Sequence, residues 1–198
     1  SVSTIYRWGV TLSKATKFSP IHFDVLSVDE KFEKVISKNK SDTPKDKSDT
    51  PKNKSDTLYV YLAVSWDSYF IANFVVSMNR DTFEAIQLIS PCEPKLVYSD
   101  GLPSYARACE YLHIPHKTID SKTNQPVESR NSLLAMFTQI RRGFKKLSNV
   151  FDYIKAFVVL HNIKRMLRIE YDAKDQTKIQ KTLIEYLLNH FQEIFAFQ

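Results

Sequence analysis

The chain has 198 residues, 43% hydrophobic and 13% aromatic, which suits one sizeable core and excludes a disordered protein, while only 3 glycines exclude glycine-rich phosphate loops. The net charge is +6, and between Arg130 and Arg168 nine Lys or Arg residues stand against one acid, Asp152, a bias that suits a polyanionic partner. Two cysteines are too few for a disulfide framework, and no apolar run reaches 18 residues, so an intracellular protein of cytoplasm or nucleoid is expected, with no membrane partner.

Residues 1–23 read as a lead-in segment, and the opening Ser1 in place of Met is compatible with a fragment that lacks an upstream domain. Residues 24–36 alternate apolar and polar side chains through Val25, Val28, Phe32 and Val35, which predicts a strand. Residues 40–57 repeat KSDTPK without one apolar member, so 37–57 is expected to be a solvated, flexible insertion. Residues 58–66 and 69–78 are rich in aromatic and β-branched residues and predict two more strands, joined at Asp67-Ser68 into an antiparallel meander. Trp66, Tyr69 and Phe70 fit sheet-face residues better than base-stacking ones.

Asn79 to Thr82 offer capping groups for a helix over 82–90, which Pro91 and Pro94 end. A short strand over 95–99 stops at Asp100-Gly101, a helix follows over 104–112, and a fifth strand covers 116–119. A helix over about 126–146 is expected to bury Leu133, Phe137, Ile140 and Phe144. Helices over 151–168 and 176–197 complete the chain, the last within a helical tail over 169–198. The fold class is therefore α/β, with a mixed five-stranded sheet of a three-strand antiparallel meander plus two parallel strands. Helices flank the sheet, extra helices follow, and 24–168 forms one domain; this order is that of the RNase H-like fold.

Three acids fall where that topology converges: Asp29 in the first strand, Asp100 at the end of the fourth, and Glu128 in the first turn of the long helix. Phosphodiesters repel nucleophiles, and divalent cations offset that charge; magnesium takes hard oxygen ligands, so carboxylates are the residue type required. Asp24 rivals Asp29. Each acid also has a plainer role: a solvated strand residue for Asp29, an Asp-Gly turn for Asp100 and a helix-dipole partner for Glu128.

The segments VDEKF at 28–32, MNRD at 78–81, YSDGLPSYARA at 98–108, NQPVES at 124–129 and FKKLSNVFDYIKAFVVLHNI at 144–163 resemble, in order, those of insertion-sequence DDE transposases and integrase cores. The resemblance implies an RNase H-like catalytic domain for metal-dependent cleavage and strand transfer of transposon ends. It implies Asp29, Asp100 and Glu128 as catalytic metal ligands for two Mg²⁺ or Mn²⁺ ions. It also implies DNA ends and target DNA as partners, and a homodimer or higher oligomer assembled on DNA.

The chain departs from that pattern in three places. The gap from Asp100 to Glu128 is short, Ala135 stands where a DNA-contacting basic residue is expected two turns after the glutamate, and no helix-turn-helix is visible in 1–23. A transposase-derived DNA-binding protein without turnover, and a structure-specific nuclease of the same fold, remain alternatives.

Arg130, Arg141, Arg142, Lys145 and Lys146 are candidates for DNA phosphate contact, or else a solvated helix face. Cys109, His113 and His116 have zinc-like spacing, but no fourth ligand is evident beyond distant Cys92, so zinc is not expected. His161 lies among apolar residues and reads as a satisfied core histidine.

Overall fold

The computed structural model describes residues 11, 18–36, 55–139 and 147–170. Five strands, β1 (Val25–Ile36), β2 (Ser55–Ser65), β3 (Ile71–Ser77), β4 (Leu96–Ser99) and β5 (His116–Thr118), form one sheet in the order β3-β2-β1-β4-β5. β1, β2 and β3 pair antiparallel, whereas β4 joins β1 and β5 joins β4 in parallel. A meander with parallel strands added beside its first member is the RNase H-like arrangement expected from the element order. The antiparallel β1–β2 ladder runs out to Ile36 opposite Ser55, so β2 starts three residues before the expected 58. The starting residues Ser55, Asp56 and Thr57 are polar, so their entry into a strand leaves no apolar trace.

Helix α1 (Thr82–Ile89) is capped by Asp81, whose carboxylate accepts the Phe83 N–H at 2.8 Å, as the capping cluster predicts. A single 3₁₀ turn, Ser90–Cys92, carries Pro91. α2 (Pro103–Tyr111) begins on proline, which lacks the N–H that a first-turn residue leaves unpaired. α1 and α2 cover one sheet face, where Leu26, Val28, Tyr61, Ala63, Leu88, Val97 and Tyr105 share a core. Helices α3 (Gln125–Gln139) and α4 (Leu147–Glu170) serve the other face, packing Val127, Leu134, Ile154 and Val158 against Leu58, Leu62, Val64 and Ile71.

The buried stripe of α3 differs from the expected one. Val127, Asn131, Leu134 and Thr138 are buried, whereas Leu133 is 38% exposed and Phe137 is only partly covered. The true stripe has helical spacing but contains two polar residues, each bonded to β1: Asn131 to Asp29 and Thr138 to Glu33. Counting apolar residues alone therefore favours the wrong phase. Ile140 and Phe144, which were expected to extend this helix, lie outside the described residues, as do the repeat over 37–54 and the tail beyond 170.

The outer edge of β3 has partners from elsewhere. The Asn162 side chain accepts the Ile71 N–H and donates to its carbonyl, both at 2.9 Å, and the Ile21 N–H reaches the Ala72 carbonyl at 2.9 Å. Arg165 donates twice to the Ser68 carbonyl, at 3.0 and 2.7 Å, holding the β2–β3 turn to α4. Among the described residues no helix is long and apolar enough to cross a membrane.

The α3 phase has a direct test. Leu134→Ala should cost about 2–4 kcal/mol in urea unfolding, as expected for a buried leucine truncated in a core, and Leu133→Ala under about 1 kcal/mol. A larger cost at Leu133 than at Leu134 would mean that the helix sits in the other phase.

Candidate active site

Strand alternation sends Ser27, Asp29 and Glu33 to the α3 face and Leu26, Val28 and Glu30 to the other. The parallel register pairs Val25 with Leu96, Leu26 with Val97 and Ser27 with Tyr98. Asp29 lies two residues beyond Ser27, and Asp100 two beyond Tyr98. Asp29, within β1, and Asp100, one residue past the end of β4, therefore each lie two residues beyond the last paired position, with the strand alternation placing both on the same side.

Asp100 lies where β4 gives way to the loop before α2. Its Oδ1 accepts the Leu102 N–H at 3.2 Å, and Gly101 turns the chain at φ +98°, a left-handed conformation that glycine adopts without strain. A Cβ at Gly101 would meet Thr118 Cγ2 at 2.9 Å, so space as well as backbone conformation calls for glycine here.

Glu128 is delivered by the first turn of α3, and the start of that helix is pinned to β1. Asn124 is fully buried; its side chain accepts from the Ser27 hydroxyl and donates to the Val28 carbonyl at 3.4 Å. The Glu128 N–H donates to the Asn124 carbonyl at 3.2 Å. One turn further, Asn131, 8% exposed, donates from Nδ2 to Asp29 Oδ2 at 2.7 Å.

The three acids bear on one another electrostatically. Asp29 is 8% exposed, and burial, reinforced by the charge of Asp100, pushes its carboxyl up to about 7; Glu128 adds to the rise and the Glu30 amide opposes it. Glu128 is also raised, first by burial and then by the charge of Asp100. Between β1 and α3 opens a cleft of about 330 Å³ whose walls include Asp29, Lys31, Glu128, Asn131, Ser132 and Ala135. Ala135 thus occupies the wall where a basic side chain was expected, two turns from Glu128.

Among the described residues, no three His, Cys, Asp or Glu side chains already close round a point that would hold a metal ion. Asp29 is turned to Asn131 and Asp100 to the Leu102 amide. The donor set still suits a hard divalent cation. It is all oxygen, its negative charges raise one another's affinity for protons, and the buried Asn131 Oδ1 lacks a hydrogen-bond partner.

The other candidates separate cleanly. Asp24, the rival to Asp29, is exposed and paired with Lys95 at 3.1 Å. Arg130 turns inward: its guanidinium meets His161 Nε2 at 3.2 Å, donates to Ser129 Oγ at 3.2 Å and lies 5.4 Å from the Tyr69 ring centre. Arg141, Arg142, Lys145 and Lys146 lie outside the described residues. Trp66 packs on Tyr98 with ring centres 4.5 Å apart, and Phe70 stacks on Phe23 at 6.3 Å, both as sheet-end packing residues.

His161 sits 3.1 Å from the Tyr69 carbonyl, and burial holds its imidazole down to about 4, as befits a satisfied interior histidine. The zinc-like run is dispersed: Cys109 is buried, His113 is exposed, and His116 bonds Ser99 Oγ at 2.9 Å. Asn124 and Asn131 gained no role from the sequence. Asn131 stands three residues after Glu128 on the same helix, and that spacing was the one available signal.

A family model described as a DDE domain, of the IS240 transposase group, matches residues 52–166, more than half of the chain; it takes in Asp100 and Glu128 and begins after Asp29. No curated protein matches the chain. Among solved structures, the catalytic core domain of BIV integrase is 17% identical, over 69% of this chain and 82% of that one, with a TM-score of 0.45. The HTLV-2 integrase catalytic core domain in complex with magnesium is 18% identical, over 73% and 88%, with a TM-score of 0.42. The Mos1 strand transfer complex is 15% identical, over 78% and 52%, with a TM-score of 0.45.

The raised carboxyl of Asp29 fixes the sign of a pH effect. A folded-state value of about 7, above the ordinary 3.8, means that folding favours the protonated acid. This contribution to stability is fully present below about pH 4 and is lost as pH rises through about 7. Without divalent ions, Asp29→Asn should stabilise the fold at pH 8 by on the order of 2–4 kcal/mol and leave it nearly unchanged at pH 4. His161 works in the opposite direction, losing stability as pH falls from about 6.5 to about 4, but it is common to both proteins and cancels in the difference. Urea unfolding at the two pH values checks this, and a variant less stable at pH 8 would contradict it.

Proposed function

Because the chain belongs to the DDE domain family of IS240-type transposases, we propose that it is a DNA transposase that cuts and joins transposon ends through Asp29, Asp100 and Glu128. The observation that supports this reading is that Asp29 of β1 and Glu128 of α3 line one cleft, while Asp100 follows β4 two residues past its pairing with β1, and burial and the Asp100 charge raise both Asp29 and Glu128. Mg²⁺ or Mn²⁺, two ions in all, would supply charge neutralisation of the phosphate and stabilisation of the leaving oxygen.

The chain's own residues set the geometry for that chemistry. Asp29 would act from β1 and Asp100 from the loop after β4, Glu128 would close the cleft from α3, and the Asn131 amide, bonded to Asp29, would orient it. Water attack on the phosphodiester at the transposon end breaks the bond to the leaving oxygen and frees a 3′-hydroxyl. That hydroxyl then attacks a target phosphodiester in line, one DNA strand leaving as the other joins. No step calls for a covalent enzyme intermediate.

Lys and Arg residues at 141, 142, 145 and 146 would add sequence-independent phosphate affinity that weakens with salt. Arg130 would act indirectly, as a support for α4 through His161. Handling two DNA ends together calls for at least two copies of the chain.

Strand transfer with pre-cut transposon ends and a plasmid target tests the reading. With Mg²⁺ or Mn²⁺ the parental chain should yield joined products, and Asp100→Asn and Glu128→Gln should each lower the yield at least about a hundredfold, as loss of a transition-state charge partner does. DNA binding with no turnover in the parental chain would instead indicate a binding protein. Cleavage confined to four-way junctions or RNA–DNA hybrids would indicate a nuclease.

A further inference from the structure

Glu30, directly after Asp29, points to the opposite face of the sheet, into a core of Leu26, Val28, Tyr61 and Ala63, and is 7% exposed. A strand position that needed only packing would carry an aliphatic residue there, because a carboxylate taken out of water is costly unless fully paired. Glu30 is fully paired. Its Oε1 accepts from Arg80 Nε at 2.7 Å and also from Arg80 Nη2, and its Oε2 accepts the Tyr105 hydroxyl at 2.9 Å. The Arg80 guanidinium lies 5.3 Å from the centre of the Phe32 ring, which holds it from a further side.

These partners come from places that matter to the two aspartates. Tyr105 is fully buried in α2, the helix that begins three residues after Asp100. Arg80 belongs to the MNRD segment after β3, which the three-acid arrangement leaves without a role. The hydrogen-bonded pairing of β1 with β4 ends at Ser27 and Tyr98, short of both aspartates. Beyond that point the ladder no longer sets their separation. The Glu30 carboxylate bridges the gap from the far side of the sheet, joining the residue next to Asp29 to the helix that follows Asp100.

We propose that Glu30, Arg80 and Tyr105 form a strut that fixes the spacing of Asp29 and Asp100, with Glu30 a positioning residue for divalent-cation binding. The proposal rests on the assignment of those aspartates as cation ligands. Its distinguishing signature is a change in cation affinity that goes beyond any change in stability, because supports of metal ligands typically act on affinity.

Mn²⁺ titration of the full chain, followed by electron paramagnetic resonance, with urea unfolding in parallel, supplies the test. Tyr105→Phe, which removes one oxygen, and Arg80→Gln should each weaken Mn²⁺ binding by the folded protein roughly tenfold, and Arg80→Lys should restore part of the loss. Stability losses in these variants with unchanged Mn²⁺ affinity would overturn the strut while leaving the cation site standing. A parental chain that binds no Mn²⁺, or binding that survives Asp29→Asn and Asp100→Asn, would overturn the cation site and the strut with it.

Discussion

The placement of the two candidate aspartates starts from the parallel pairing of β1 with β4. Three residue pairs, Val25 with Leu96 through Ser27 with Tyr98, set two chain segments about seventy residues apart at a common level. A slip of one residue in that register would turn one of the two aspartates to the opposite face, because side chains alternate along a strand. The register is held by burial on both faces. Leu26 and Val97 lie in one core, and on the other face Ser27 is bonded to Asn124. The core that stabilises the sheet thus also sets Ser27 beside Tyr98, the paired residues from which each aspartate follows two positions on.

The site's electrostatics follow from that geometry. Acids brought together without a cation repel one another, and burial removes the water that would screen them. The fold tolerates Asp29 by giving it the Asn131 amide, and Asp100 by giving it a backbone N–H. Both donors are neutral, so they satisfy hydrogen bonds without cancelling charge. The contrast with Glu30 is direct: one residue away, on the other face, a carboxylate is given an arginine. Among the described residues Asp29 and Asp100 are thus hydrogen-bonded without a directly paired cation, whereas Glu30 is neutralised, a contrast that fits a division of labour between binding and support.

The order of elements was legible in the sequence. Strand alternation over 24–36, the Asp-Gly break after 99 and the polar start of the long helix each leave a local trace. The buried stripe of α3 was not legible, because Asn131 and Thr138 earn their burial by bonding Asp29 and Glu33 across more than a hundred residues, and no local pattern records that. Glu30 was hidden for the same reason, since an acid on the core face of a strand reads as solvated until Arg80 and Tyr105 are seen beside it. Arg130 shows the converse: a cation beside the glutamate reads as a DNA contact, yet its charge is directed at His161 and Tyr69.

The Asn162 side chain, bonded to both backbone groups of Ile71, acts as a one-residue imitation of a sixth strand. With Ile21 bonded at Ala72, it occupies the start of an edge that would otherwise invite a stray strand from another molecule. Chains that gather in numbers on one length of DNA would meet at high local concentration, where unguarded sheet edges zip together indiscriminately. If the chain works as proposed, an edge blocked at its start leaves such gatherings to be organised by the nucleic acid rather than by accidental sheet extension.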